Sequence, residues 1–236
     1  MAKSAAIVLA AGQGKRMQSH VQKQFLLLND RPLITYALEA FENSSVDQII
    51  LVTGSDEIRY CREEIAEKYG FSKVTKVIAG GRERYHSVYE GLKAAKGAEY
   101  VLIHDGARPL LNQEIISRAL EGAKEYGACV VGMPVKDTIK TAGADGFVAS
   151  TPNRSTLWQV QTPQAFFYPW ISQAYEKLFS REEYQQGVTD DAMVLEAMTS
   201  HKVKLIEGSY FNIKVTTPED MAVAEALLKF MSCSKK

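Results

Sequence analysis

The sequence predicts an α/β fold: an open, mainly parallel sheet with helices on both faces and a β-arm projecting from it. Three observations lead there. Short β-rich runs alternate with helical patterns along most of the chain, glycine-bearing charged segments fall directly after those runs, and the alternation breaks over 135–158, where no helical period survives. In a βαβ unit the crossover covers a face of the sheet, so such strands lie buried between two helical layers.

Strands are read at AAIVL (5–9), QIILVT (48–53), KVTKVI (73–78), EYVLIH (99–104) and ACVVGM (128–133). PLITYALEAFE opens with Pro32 at the first helical position, where a missing N–H leaves no helical bond unmade. ERYHSVYEGLKAAKG carries Val88, Leu92 and Ala95 on one face and stops at Gly97. Over 135–158 Gly, Ala, Ser, Thr and Asn dominate, and Asp145-Gly146 between TIKT and FVAS reads as a hairpin turn. A β-arm is preferred there because long structureless loops inside a compact domain are uncommon. Helices follow over 170–178 and 190–198, then a strand at VKLIEG, the segment NIKVTT and a closing helix from Pro218.

A chain of 236 residues is long enough for one sizeable core, and one domain is expected over 1–236. Lys plus Arg equals Asp plus Glu at 28 each, so no overall field draws the protein to nucleic acid or an anionic membrane. A bound anion must be held by a local cluster. Cys61, Cys129 and Cys233 are odd in number and form no CxxC pair, which argues against a disulfide framework or a thiolate zinc site and fits a reducing cytoplasm. The N-terminal apolar run ends at Ala11, too short to span a bilayer, and no targeting segment is expected.

Local chemistry concentrates in three segments. The stretch LAAGQGKRMQ fits neither GxxxxGK[ST] nor GxGxxG. It leaves a strand followed by a glycine turn whose N–H groups can face an anion, with Arg16 directly after the turn and Lys23 seven residues on. In HDGARP, after the strand EYVLIH, Asp105 is placed to hold a divalent cation or a ribose hydroxyl and Arg108 a phosphate. In GGRER, after KVTKVIA, the paired glycines admit backbone groups to a base edge, with the Ser87 hydroxyl one helical turn on. All three lie where an open parallel sheet binds its ligands, past the carboxyl ends of its strands. His20, His86, His104 and His201 are scattered and read as surface or internally satisfied histidines.

LAAGQGKRM, KQF, GGRERYHSV, HDGARP, RSTLWQVQTPQAF and NIKVTTPEDM, in this order and over nearly the whole length, resemble the cytidylyltransferases that act on polyol phosphates, best those acting on 2-C-methyl-D-erythritol 4-phosphate. The resemblance implies a Rossmann-like fold of the nucleotide-diphospho-sugar transferase type. It also implies transfer of a cytidylyl group from CTP to the polyol phosphate with release of pyrophosphate, aided by Mg²⁺. Arg16, Lys23, Arg154 and Lys214 match the catalytic positions, and Ala10, Ala11, Gly12, Gly14, Gly81, Arg82, Ser87 and Asp105 those that bind nucleotide. Asp105 also matches the metal position, while Arg108, Thr138, Thr162 and Thr189 correspond to contacts with the acceptor substrate. No nucleophile or general base is expected, because the attacking phosphate is already ionised. The resemblance further implies a homodimer in which the arm of one subunit reaches over the other's site.

Three departures are evident: Gln22 where the family usually has proline, Phe211 where an acidic residue often precedes NIK, and LAAG in place of PAAG. Phe211 also suits the alternative of a ribitol 5-phosphate (pentitol phosphate) cytidylyltransferase of teichoic acid synthesis. A nucleotide-binding module without chemistry is the remote alternative, since it has no use for four cations converging on one phosphate.

Overall fold

Pleating of β1 (Ser4–Ala10) sends Ala6, Val8 and Ala10 to one face and Ala5 and Ile7 to the other, and all five are buried. A strand apolar on both sides needs two covering layers. The computed structural model, which describes residues 3–12 and 22–233, provides them; Gly14, Arg16 and His20 lie outside the described residues.

The short strands β2 (Leu27–Leu28) and β3 (Arg31–Pro32) pair as a hairpin before α1 (Leu33–Glu42). Then come β4 (Gln48–Thr53), α2 (Ile58–Tyr60) running into a π-helical turn (Cys61–Glu67), β5 (Val74–Ala79), α3 (Arg84–Ala94) and β6 (Tyr100–Asp105). Helix α4 (Gln113–Tyr126) leads to β7 (Ala128–Pro134), and the arm carries β8 (Thr141–Ala142) and β9 (Val148–Ser150). Strand β10 (Trp158–Phe167), helices α5 (Tyr168–Ser180) and α6 (Asp191–Met198), strand β11 (Lys204–Glu207) and helix α7 (Pro218–Cys233) complete the order.

Seven strands form one sheet in the order β11-β7-β10-β6-β1-β4-β5. Every neighbouring pair is parallel except those of β10, which runs antiparallel to both β6 and β7. On one face, Leu38 and Phe41 of α1, Ile65 of the π-helical turn and Ile115 and Ala119 of α4 cover Val8, Leu51 and Leu102. On the other, Val88 and Leu92 of α3, Ile171 and Tyr175 of α5 and Leu195 of α6 cover Ile7, Ile50 and Ile103. Each fully buried Leu or Ile contributes about 1.5–3 kcal/mol relative to exposure. The fold is therefore held by the sandwiching of the sheet.

The structure amends two local expectations. Pro32 sits outside the first helix: its ψ of 132° is extended, it pairs with Leu27, and its carbonyl accepts the Thr35 hydroxyl at 2.7 Å. The hairpin fixes this residue before the helix can start. Second, the segment after the arm is not merely a motif but an interior strand of the sheet, β10. Its Gln161, Thr162 and Gln164 defeat an apolar-run test, yet all three are buried and hydrogen-bonded. The arm itself is a hairpin, with Gly146 at φ +81° in its turn, and every residue from Lys136 to Thr156 except Gly143 and Pro152 is exposed. Among the described residues no helix is long and apolar enough to cross a membrane.

Gly91 lets α3 lie close on β1, for a Cβ there would collide with Ile7 Cγ2 and come within 3.3 Å of Val52 Cγ2. Alanine gains about 1 kcal/mol of helix propensity over glycine, whereas overpacking a core costs about 1–3 kcal/mol. Gly91→Ala is therefore expected to lower the guanidinium midpoint of unfolding with an unchanged slope. A raised midpoint would show that the sheet yields to the methyl group.

Candidate functional site

Strands β1, β4, β5 and β6 end on the same edge of the sheet, and the segments that follow them surround a cleft of about 810 Å³. Ala11 and Gly12 after β1, Gly54 after β4, Gly80 and Gly81 after β5 and Asp105 at the end of β6 line it. Among the described residues four cationic side chains, Lys23, Arg82, Arg84 and Lys214, face two acidic ones, Glu83 and Asp105. A chain without net charge thus gathers local positive charge at one place. A second cavity, about 630 Å³ against edge strand β5, is lined by Arg62, Glu67 and Phe71 and, among the described residues, by none of those expected to act.

The glycine turn after β5 is closed by hydrogen bonds from its two N–H groups. The Gly80 N–H donates to the Thr53 carbonyl at 2.7 Å, and the Gly81 N–H to the Ser87 hydroxyl at 3.1 Å. A Cβ on Gly80 would lie 2.5 Å from Ser87 Oγ and 2.7 Å from Ala11 Cβ, so only glycine lets these segments approach. Ser87 is buried and fixes the turn, whereas the Arg82 side chain is 91% exposed at the rim.

On the opposite wall, Lys23 opens the single turn Lys23–Phe25 between two glutamines. Buried Gln24 donates to the Ala10 carbonyl and to the side-chain oxygen of Gln22, which in turn donates to Glu57. The residue standing in place of proline is therefore tied down by its amide. Of the cations expected to be catalytic, Lys23 and Lys214 meet in this cleft and Arg16 lies outside the described residues.

Asp105 is the focus of the floor. Its carboxylate lies 3.2 Å from Arg84 Nε, 2.8 Å from Lys214 Nζ and 3.8 Å from Arg108 Nε. Burial alone raises a carboxyl pKa, but Arg84, Lys214 and Arg108 together outweigh it and hold Asp105 well below the usual carboxylate range. Burial leaves the neighbouring His104 ring neutral, its pKa lowered to about 3, with Nδ1 3.0 Å from the Thr162 hydroxyl. That hydroxyl also accepts the Asp105 N–H at 3.1 Å. Thr162 thus acts from behind the floor.

The segment bearing Lys214 has no regular structure, yet it is pinned at three points. The Val215 N–H donates to the Ala107 carbonyl, Arg108 Nη1 to the Asn212 carbonyl, and Asn212 Nδ2 to the Thr162 carbonyl, each at 2.8 Å. Arg108 is consequently a buried strut with a small exposed fraction, 9%. Phe211 packs edge-to-face on Phe230 of α7 at 5.9 Å.

Among the described residues, three more of those expected to act lie away from the cleft lining. Thr138 and Arg154 are exposed on the arm, where Arg154 Nη1 donates to the Lys136 carbonyl at 2.6 Å. Thr189 is exposed just before α6, its hydroxyl against Met193 Sδ at 3.4 Å. Sequence reasoning passed over Arg84 and Asp191. Arg84 donates from Nη1 and Nη2 to the fully buried Asp191 carboxylate at 2.9 and 2.8 Å. The only signal for Arg84 was its place in GGRER, where Arg82 drew the assignment. Burial pushes the Cys61 and Cys129 thiols up to about 11 and about 12, so neither is poised as a nucleophile.

Residues 4–230 match the family model described as 2-C-methyl-D-erythritol 4-phosphate cytidylyltransferase. The chain is 51% identical over 230 residues to the 2-C-methyl-D-erythritol 4-phosphate cytidylyltransferase of Lachnoclostridium phytofermentans, covering 97% of both chains. Identity to the protein of the same name from Lachnospira eligens is 52% over 225 residues, 95% of this chain and 98% of that one. Among solved structures, that of 4-diphosphocytidyl-2C-methyl-D-erythritol synthase from Anaerococcus prevotii superposes with a TM-score of 0.83 at 34% identity, over 97% of this chain and 99% of that one. With a match that runs through the cleft, the arm and the Lys214 segment alike, this chain belongs to the 2-C-methyl-D-erythritol 4-phosphate cytidylyltransferase family.

Proposed function

We infer that the chain transfers the cytidylyl group of CTP to 2-C-methyl-D-erythritol 4-phosphate, giving 4-diphosphocytidyl-2-C-methyl-D-erythritol and pyrophosphate in isoprenoid synthesis. The observation that carries this reading is the cleft itself, where a glycine turn, Lys23 and Lys214 converge at the carboxyl ends of parallel strands. An oxygen of the acceptor phosphate attacks the α-phosphorus of CTP. The new P–O bond forms as the bond to the bridging oxygen breaks, and pyrophosphate leaves with the electron pair. Repulsion between the two anions is a large part of the barrier, so fixed cations at the point of attack supply most of the catalysis.

In this reading the amides of Ala10, Ala11, Gly12 and Gly14 cradle the triphosphate. Arg16 and Lys23 stabilise charge on the pentacoordinate phosphorus, while Gly81, Arg82 and Ser87 meet the cytosine edge. Lys214 holds the acceptor phosphate, and Arg108, Thr162 and Thr189 shape the acceptor side. Among the described residues no group of three or more His, Cys, Asp or Glu could cage a metal. Asp105 does fit Mg²⁺ as one ionised oxygen donor: Arg84 and Lys214 each take one lone pair of its two oxygens and leave others, and the ion takes only one or two carboxylates and fills its shell with phosphates and water. Bound there, Mg²⁺ would neutralise phosphate charge.

The exposed arm, with Phe147 and Val148 at 76% and 62% exposure near its tip, supports assembly as a homodimer. Thr138 and Arg154 then reach the acceptor of the partner subunit. The chain as a whole is read as one nucleotidyltransferase domain with a dimerisation arm at 135–158.

Three measurements test this. Pyrophosphate release with 2-C-methyl-D-erythritol 4-phosphate should be faster from CTP than from UTP, ATP or GTP and should fail with ribitol 5-phosphate; equal turnover of UTP refutes the cytidylyl assignment. Lys23→Ala should lower kcat by about 10²-fold or more while CTP binding weakens far less, as for loss of a transition-state contact. A variant that loses affinity alone would assign Lys23 to ground-state binding. Finally, Lys23→Ala and Arg154→Ala chains refolded together should recover roughly a quarter of wild-type activity, since half of randomly paired dimers are mixed and each mixed dimer has one intact site. No recovery from demonstrated mixed dimers would put Arg154 in its own chain's site.

A further inference from the structure

Behind the cleft, a chain of polar contacts runs from the core to Lys214. Gln164 of β10 accepts the N–H groups of Asp191 and Ala192 at 3.0 and 2.9 Å and donates to Asp190 at 2.8 Å, clamping the first turn of α6. The Asp191 carboxylate is thereby held inside the protein, where the buried Tyr175 hydroxyl of α5 donates to Oδ1 at 2.6 Å. Both terminal nitrogens of Arg84 are then engaged by Asp191, which leaves Nε for Asp105 Oδ1 at 3.2 Å. Asp105 Oδ2 meets Lys214 Nζ at 2.8 Å, with Arg108 Nε farther off at 3.8 Å. Neither Tyr175 nor Asp191 lines the cleft.

We propose that Asp191, supported by Tyr175, is a positioning residue for the transfer reaction: by occupying the fork of Arg84 it confines that side chain to one oxygen of Asp105 and so reserves the other for Lys214. The fork of an arginine matches a carboxylate with two parallel bonds. Deprived of Asp191, the guanidinium would turn onto both oxygens of Asp105, displace Lys214 and leave the acceptor phosphate misplaced. A buried ion pair of this kind is weak evidence for stability, and a role in fixing one arrangement explains its presence better. The proposal rests on the assignment of Lys214 to the acceptor phosphate.

The test is a double-mutant cycle on the full-length protein, with initial rates over both substrates and thermal unfolding recorded for every variant. Asp191→Asn preserves shape and the bond from Tyr175 but sets an amide against Nη2. It should lower kcat/KM for the polyol phosphate by about 10- to 100-fold, the cost of a small misplacement at a reacting centre, while KM for CTP stays within about threefold. Added to Lys214→Gln, it should cost no more than about a further twofold, because both substitutions remove one function. Multiplicative losses, or a parallel rise in KM for CTP, would overturn the relay. Should Asp191→Asn not fold, Tyr175→Phe decides: it removes a single hydroxyl and should lower the same ratio by about fivefold, as for one lost hydrogen bond. An unchanged ratio for Tyr175→Phe overturns the proposal. A fully active Lys214→Gln protein would instead refute the acceptor-site assignment of Lys214, an outcome distinct from failure of the cycle.

Discussion

The Asp105 carboxylate, sunk at the end of β6 and kept ionised by three cations, is the group from which the cleft is organised. A lone buried carboxylate would be neutral or ruinous to stability, and removing one partner of such a pair typically costs about 3–5 kcal/mol. Here each partner arrives on a different piece of chain: Arg84 from the start of α3, Arg108 from the turn after β6, and Lys214 from the irregular segment before α7. One charge therefore fixes three segments.

That arrangement explains why the wall bearing Lys214 can do without regular structure. Its backbone borrows partners from Ala107 and Arg108, and its Asn212 side chain one from Thr162, so its position follows from β6 and β10 rather than from any helix or strand of its own. The interior antiparallel strand β10 has a matching function. By crossing between β6 and β7 it brings Gln161, Thr162 and Gln164 to the back of the cleft, where they support the Lys214 segment, Asp105 and the first turn of α6.

The electrostatic design is local. Equal numbers of acidic and basic residues leave no long-range field, yet the cleft concentrates cations while spending Asp105 on alignment. Fixed charge of this kind needs no rearrangement as negative charge builds on a transferring phosphoryl group. The arm supplies the contrast: its residues are nearly all exposed, its hairpin is short, and within one chain it contributes nothing to the cleft lining.

Six of the seven sheet strands were legible in the sequence: β1, β4, β6 and β7 because strands buried on both sides leave continuous apolar runs, and the edge strands β5 and β11 from shorter runs of β-branched residues; the glycine turns were legible because close approach admits no other residue. GGRER and HDGARP likewise pointed to Ser87 and Asp105, and the family resemblance carried by NIKVTT to Lys214; the cleft assembles all three. Strand β10 was not legible, since its buried face carries glutamine and threonine, whose polarity is satisfied only by partners elsewhere in the chain. Arg84 and Asp191 stand 107 residues apart, and neither differs in sequence from an ordinary surface charge. Composition and periodicity report how each residue meets its neighbours along the chain; which distant charge it meets is decided by packing, when α5 is laid against both α3 and α6 and all three against the sheet.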